Sequence, residues 1–200
     1  MTMEYKNDII ILGSYPQNRE NISEKEPIEW IVIDQKEDCI LCISKYLLDC
    51  KPYNETLEKV TWERSTLRKW LNSEFFCTAF TEDEQKRILI TDVKNSSHDT
   101  QDLIFLLSYD EAEKYFEFEE RRVKTTAYAR AQGAWFFTEN EDEYNSNGSW
   151  WLRYPGYMEN EEEDGYDVLS CVNFDGYIEE SAEEVSGNKC SIRPTFWLKL

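Results

Sequence analysis

Histidine is almost missing from this sequence: His98 is the only one in 200 residues. Any Ser-His or Cys-His mechanism would have to pass through it. It sits in the polar stretch Asn95-Ser96-Ser97-His98-Asp99-Thr100, without a nucleophile-elbow pattern, and reads as an exposed loop residue. Glycine is scarce as well. The seven glycines form neither G-x-G-x-x-G nor G-x-x-x-x-G-K-[ST], which excludes the two common phosphate-cradling loops. No apolar run nears the roughly 20 residues of a membrane-spanning helix, and residues 1–8 lack the basic and apolar regions of a secretory leader. Those absences predict a cytoplasmic chain whose six cysteines (39, 42, 50, 77, 171 and 190) stay reduced.

Positive charge is the other shortage. Lys and Arg number 22 against 41 Asp and Glu, a net charge of -19. The imbalance is concentrated in residues 139–184, where 15 acids face the single base Arg153. Such a field repels nucleic acid and anionic lipid, whose binding needs Lys and Arg to displace counterions. It suits cations and basic proteins, or it keeps an aromatic-rich protein soluble. Aromatic residues are plentiful, with 7 Trp, 12 Tyr and 10 Phe, so the chain has the material for one packed core and is expected to form a single domain over 1–200.

Short apolar runs predict strands at 8–12, 27–34, 39–44, 103–107, 150–154, 168–173, 177–178 and 195–200. The polar residues 35–38 read as a hairpin turn, and Asp175-Gly176 as a second. Helices are signalled where Thr61 precedes Leu67, Trp70 and Leu71, where Thr81-Glu82-Asp83-Glu84 and Ser108-Tyr109-Asp110-Glu111 match capping boxes, and over 126–132. Strands at both ends around a helical middle predict an α+β fold with its termini paired in one sheet.

Little in the sequence carries chemistry. Cys39-x-x-Cys42 lies in a predicted strand, which points its two thiols to opposite faces, and no second pair stands at a zinc-ligand spacing. Glu161-Glu162-Glu163-Asp164 and Asp167 offer oxygens to calcium but lack the alternation and shaping glycine of an EF-hand loop. No catalytic residue, metal site or cofactor is assigned. The segment between Trp150-Trp151 and Arg193-Pro194 is rich in Tyr and Asn, which combine large contact area with adaptable hydrogen bonding. Tyr154, Tyr157, Tyr166, Asn173, Asp175 and Tyr177 are therefore the ligand-binding candidates, with Trp150, Trp151, Arg153, Pro194 and Trp197 as scaffold.

Six ordered blocks carry a resemblance. They are Leu12-Gly13-Ser14-Tyr15-Pro16-Gln17, Pro27-Ile28-Glu29-Trp30-Ile31-Val32, Trp62 with Ser65-Thr66-Leu67-Arg68 and Trp70-Leu71-Asn72, Phe105-Leu106-Leu107-Ser108, Trp150-Trp151-Leu152-Arg153 with Pro155-Gly156, and Ile192-Arg193-Pro194. Together they resemble a widespread bacterial domain of unknown function. That domain is similar to the C-type-lectin-like fold, to formylglycine-generating enzymes and to variable receptor proteins diversified by retroelements. The resemblance implies helices around a small twisted antiparallel sheet, with binding residues in the C-terminal loops before the Arg-Pro block. Formylglycine-generating enzymes use a closely spaced cysteine pair, whereas Cys171 and Cys190 are far apart in sequence. The expectation is a non-enzymatic module that binds a protein or a glycan. An acidic decoy of a nucleic-acid-binding protein stands second, and an enzyme with an acidic cleft third.

Overall fold

The computed structural model describes residues 5–18, 24–139, 145–154 and 165–200. Its first sheet grows from the apolar runs near the N-terminus. β1 (Ile9–Pro16) pairs antiparallel with β2 (Lys25–Lys36), and the register slips between Ile11 and Ser14. Gly13 makes that slip, at a φ of 68°; a Cβ there would lie 2.5 Å from the Ala79 carbonyl oxygen. β2 turns into β3 (Cys39–Ser44) through Glu37 and Asp38 alone, a tighter turn than the four polar residues suggested, with Glu37 at a φ of 50°.

β11 (Thr195–Lys199) joins the free edge of β3, Trp197 opposite Leu41. The order is β1-β2-β3-β11, so the two terminal strands share a sheet but lie at its opposite edges. The expected pairing of termini is thus corrected. The β2–β3 hairpin forms between neighbours in sequence and stands between the two end strands.

A second, five-stranded sheet has the order β4-β10-β7-β8-β9. Its strands are β4 (Asp49–Cys50), β7 (Trp150–Trp151), β8 (Val168–Val172), β9 (Ile178–Glu184) and β10 (Ser191–Ile192). β7 and β10 run parallel, and the other pairs antiparallel. A third ladder is the β5 (Thr91–Val93) and β6 (Thr100–Asp102) pair. Mixed α+β character is thereby established.

The helices are short and held by their caps. Both predicted capping boxes form, at Thr81 before α3 (Glu82–Gln85) and at Ser108 before α4 (Tyr109–Tyr115). Thr126 caps α5 (Ala127–Ala131). Thr61 does not cap a helix with its side chain. It precedes a single 3-10 turn, and Ser65 instead accepts from the Arg68 N–H at the start of α1 (Thr66–Trp70), which runs through a π-turn into α2 (Phe76–Ala79). Residues 103–107 do not form a strand either. Asn72 takes the place of a ladder: its Oδ1 accepts from the amides of Leu103 at 2.7 Å and Ile104 at 3.1 Å, and its Nδ2 donates to the Ile104 carbonyl at 2.8 Å.

The core is aromatic. Trp30, Phe80 and Phe196 pack with ring centroids 4.6 to 5.9 Å apart. Trp150 and Trp151 are fully buried, and their indole N–H groups donate to the carbonyls of Arg121 and Lys51. Trp197 is only half-buried and carries Lys36 over its ring at 4.8 Å. Two arginines are buried with them. Arg153 donates to Asn95 Oδ1 at 2.9 Å, to the carbonyls of Lys94 (2.8 Å) and Leu106, and to Glu111 Oε2 at 2.9 Å. It pins the segment around β5 and the start of α4 to β7. Arg193 lies between the rings of Phe116 (4.7 Å) and Trp150 (5.0 Å) and donates from Nε to the Ser44 carbonyl. Its Nη1 has no hydrogen-bond partner among the described residues.

Candidate functional site

The turn that joins β8 to β9 fixes the site. Asn173 donates its N–H to the Tyr177 carbonyl at 2.7 Å, and Gly176 donates to the Asn173 carbonyl at 3.0 Å. Asp175 Oδ1 accepts from the Tyr177 amide at 3.0 Å, the local bond that makes Asp a turn residue. Gly176 sits at a φ of 93° and so close to the Phe118 carbonyl that a Cβ would be 2.3 Å from it. Arg122 Nε donates to the Asp175 carbonyl at 2.9 Å. The hairpin is thereby seated on the segment after α4.

Where the two meet, a surface groove of about 620 Å³ opens, lined by Tyr109, Glu113, Phe118, Arg121 and residues 177–180. Tyr177 is 59% exposed and Phe118 41%, high values for side chains of that size. Along β9 Ile178 is buried, while Glu179 and Glu180, on opposite faces of this edge strand, are both exposed. Burial raises the Tyr109 phenol above its ordinary pKa, and the neighbouring charges of Glu113 and Glu180 add to the rise, so Tyr109 stays a neutral donor facing Glu113. β9 also ends the sheet: among the described residues it pairs with β8 alone, which leaves its outer backbone edge open beside the groove. The groove joins aromatic faces, three carboxylates and an open strand edge.

The other flank of the hairpin holds a smaller cavity of about 290 Å³, walled by Trp135 and Phe174 above the thiols of Cys171 and Cys190. Phe174 stacks on Phe137 at 4.9 Å and meets Trp135 at 5.3 Å. Burial pushes the Cys171 thiol well up, and Cys190 beside it adds to the shift, so Cys171 is held as a protonated thiol and is a poor nucleophile.

The predicted contact residues divide. Tyr177 lines the groove. Asn173 lines the smaller cavity and donates from Nδ2 to Glu179 Oε2 at 3.0 Å, linking the two flanks. Asp175 shapes the turn that carries both. Tyr154 is half-buried, its ring 5.5 Å from the Arg153 guanidinium. Tyr166 does not belong to a contact surface. It is buried in the core and locked by reciprocal backbone bonds to Val60, because residues 165–166 must pass close against that strand-like bridge. Tyr157 and the run 161–164 lie outside the described residues.

Tyr109, Phe118, Trp135 and Phe174 were missed by sequence reasoning. Phe118 could have been noticed, since it falls two residues beyond Phe116, off the apolar face of α4. His98 is exposed, with Nδ1 3.9 Å from Glu63 Oε2. Cys42 is buried and Cys39 half-buried, both as free thiols. Among the described residues no group of three or more His, Cys, Asp or Glu side chains is arranged to hold a metal ion, and no helix is long and apolar enough to cross a membrane.

Residues 37–200 match the family described as Domain of unknown function (DUF6273). No curated protein and no solved structure matches the chain.

Proposed function

This chain belongs to the DUF6273 family, and from that premise we propose that it is a recognition module, not an enzyme, which binds a basic, extended segment of a partner protein in the groove beneath the β8–β9 hairpin. The observation that carries the reading is the pairing of exposed Tyr177 and Phe118 with Glu113, Glu179 and Glu180 around one groove. Aromatic faces attract Arg and Lys through their quadrupoles, and the carboxylates supply the complementary charge. The open edge of β9 offers main-chain pairing to an extended chain, which adds affinity without sequence demands. A C-type-lectin-like architecture belongs to the same proposal. Its support is that the terminal strands share one sheet and that one wall of the groove, residues 177–180, belongs to the long excursion between β7 and β10. A cytoplasmic, bacterial setting completes it and rests on the sequence.

The test is fluorescence anisotropy with a labelled short peptide that alternates arginine and glycine. Truncating a central interface aromatic costs about 2 kcal/mol, or roughly 30-fold in affinity. Phe118→Ala with Tyr177→Ala should weaken binding by at least that factor, and Glu179→Gln with Glu180→Gln should flatten its salt dependence. Binding that survives both pairs of changes would refute the groove. Loss on raising salt with no effect of the aromatic changes would favour charge mimicry of nucleic acid, and selective binding to a glycan array would move the ligand class to carbohydrate.

A further inference from the structure

On a chain with 41 acids and 22 bases, one cavity is lined by bases and, among the described residues, by no acid. It is an open surface depression of about 300 Å³, bounded by Gln17, Tyr46, the 124–126 segment, Arg130 and Ser146. Four other cavities each carry at least one glutamate: Glu183 in one, Glu113, Glu179 and Glu180 in another, Glu55 and Glu74 in a third, Glu37 in the fourth. The exception needs a reason.

Its walls are fixed by backbone bonds. Leu47 donates to the Lys124 carbonyl at 3.0 Å, Thr126 to the Leu47 carbonyl at 3.0 Å, Thr125 to the Ser146 carbonyl at 2.8 Å, and Tyr128 to the Gln17 carbonyl at 3.0 Å. Four separate stretches of chain are thus tied around one hollow before any ligand arrives. The neutral polar groups that face it, donors and acceptors alike, are mostly consumed. Thr125 Oγ1 bonds the Ser146 carbonyl, Thr126 Oγ1 caps α5, and Gln17 Nε2 is spent on the Glu26 and Pro27 carbonyls.

The cationic donors are not consumed. Arg130 Nη1 donates to the Thr125 carbonyl at 3.0 Å and to Thr125 Oγ1 at 3.2 Å, which locks the guanidinium in place over the Phe136 ring and leaves the rest of its fork. Neither Arg130 nor Lys124 forms an ion pair among the described residues, whereas Lys45, beside Tyr46, is neutralised by Glu29 at 3.1 Å. Two bases without an ion pair among the described residues, set around an open depression with a fixed frame, match a doubly charged oxyanion, because a planar guanidinium grips two oxygens while an ammonium acts as a point charge. The repulsion of the distant acids is damped over about 8–10 Å at physiological salt, so the local pair decides.

We propose that this cavity binds a small molecule bearing a phosphate group, held by Arg130 and Lys124, with the Tyr46 and Ser146 hydroxyls as further donors. The volume lies at the lower end of small-molecule sites, which leaves room for a compact body beyond the phosphate itself. The site is separate from the hairpin groove, and its fate in a test does not depend on that groove.

The experiment follows backbone amide signals by NMR while inorganic phosphate is added at constant ionic strength, with sodium acetate and sodium chloride as parallel arms. Saturable shifts confined to Gln17, Tyr46, Thr125, Ser146 and their neighbours, with phosphate at least tenfold tighter than acetate, are the expected result. Lys124→Gln changes an exposed side chain outside the hydrogen-bond framework and should weaken phosphate about tenfold with an unchanged spectrum elsewhere. Arg130→Gln should weaken it further. The proposal is overturned if phosphate shifts do not saturate, if acetate binds equally well, or if folded Lys124→Gln binds phosphate as the parent does.

Discussion

Replacing Arg153 by Met should destabilise the fold by about 4 kcal/mol, whereas the same replacement at Arg193 should cost less than about 1 kcal/mol. Both side chains are about 1% exposed, so burial does not separate them. Their partners do. Removal of Arg153 leaves the Lys94 and Leu106 carbonyls and Asn95 Oδ1 without a donor. A buried acceptor left unpaired, here the Leu106 carbonyl, costs about 1–3 kcal/mol, and the part-buried acceptors at Lys94 and Asn95 add less. Glu111 adds less than a fully buried carboxylate would, because its side chain is 34% exposed and still accepts from the Ser108 amide. Breaking such a cluster from one side costs about 3–5 kcal/mol, a large share of the 5–15 kcal/mol typical of a whole domain.

Arg193 presents the opposite case. Burial lowers its pKa to about 9, it donates one bond to the Ser44 carbonyl, and among the described residues it has no carboxylate partner. Methionine keeps the contacts with Phe116 and Trp150, and removing the desolvated charge offsets the cost, about 1–3 kcal/mol, of leaving the Ser44 carbonyl without its donor. Urea unfolding of the two variants, followed by tryptophan fluorescence at neutral pH, measures both values. A loss below about 1 kcal/mol for Arg153→Met, or equal losses for the two, would refute the reasoning.

Acid titration should show two opposed contributions. Burial tends to raise Glu84, but the Thr81 and Gly13 amides, each at 2.8 Å, and the Thr81 hydroxyl hold it below its ordinary value. The stability it brings is present above that ordinary value and lost as pH falls through the lowered one, so Glu84→Gln should flatten the acid limb of a stability curve and cost about 1 kcal/mol at neutral pH. Asp49 behaves inversely. Burial raises it despite the Tyr15 hydroxyl and the Cys50 amide that donate to it. Its contribution is full below the ordinary carboxylate value and lost as pH rises through the raised one; Asp49→Asn should remove that loss in melts carried upward from about pH 4. Gly176→Ala should unseat the hairpin from Phe118, lowering stability and peptide binding together, because a Cβ meets backbone there and φ is positive.

Local signals were the legible part of the fold. Ser108 and Glu111, or Asp175 and Gly176, lie within four residues of each other and bond each other or their own backbone, so sequence spacing reports them directly. What joins distant segments was not legible. Asn72 replaces a ladder for residues 103–104, and Tyr166 is drawn inside by Val60, more than 100 residues away. Nothing in the spacing of either residue encodes its partner. The site divides the same way. Tyr177 announced itself beside a turn, while Tyr109 and Phe118 reach the groove only because Arg122 and Gly176 dock the hairpin on the segment after α4.

The central claim is that this hairpin face, not the acidic surface at large, recognises a basic partner. Amide chemical-shift mapping with the arginine-glycine peptide tests it most directly. Shifts that saturate together and cluster at Tyr109, Phe118, Arg121 and residues 177–180 are the predicted result. Weak, unsaturating shifts spread over carboxylates throughout the chain would contradict it.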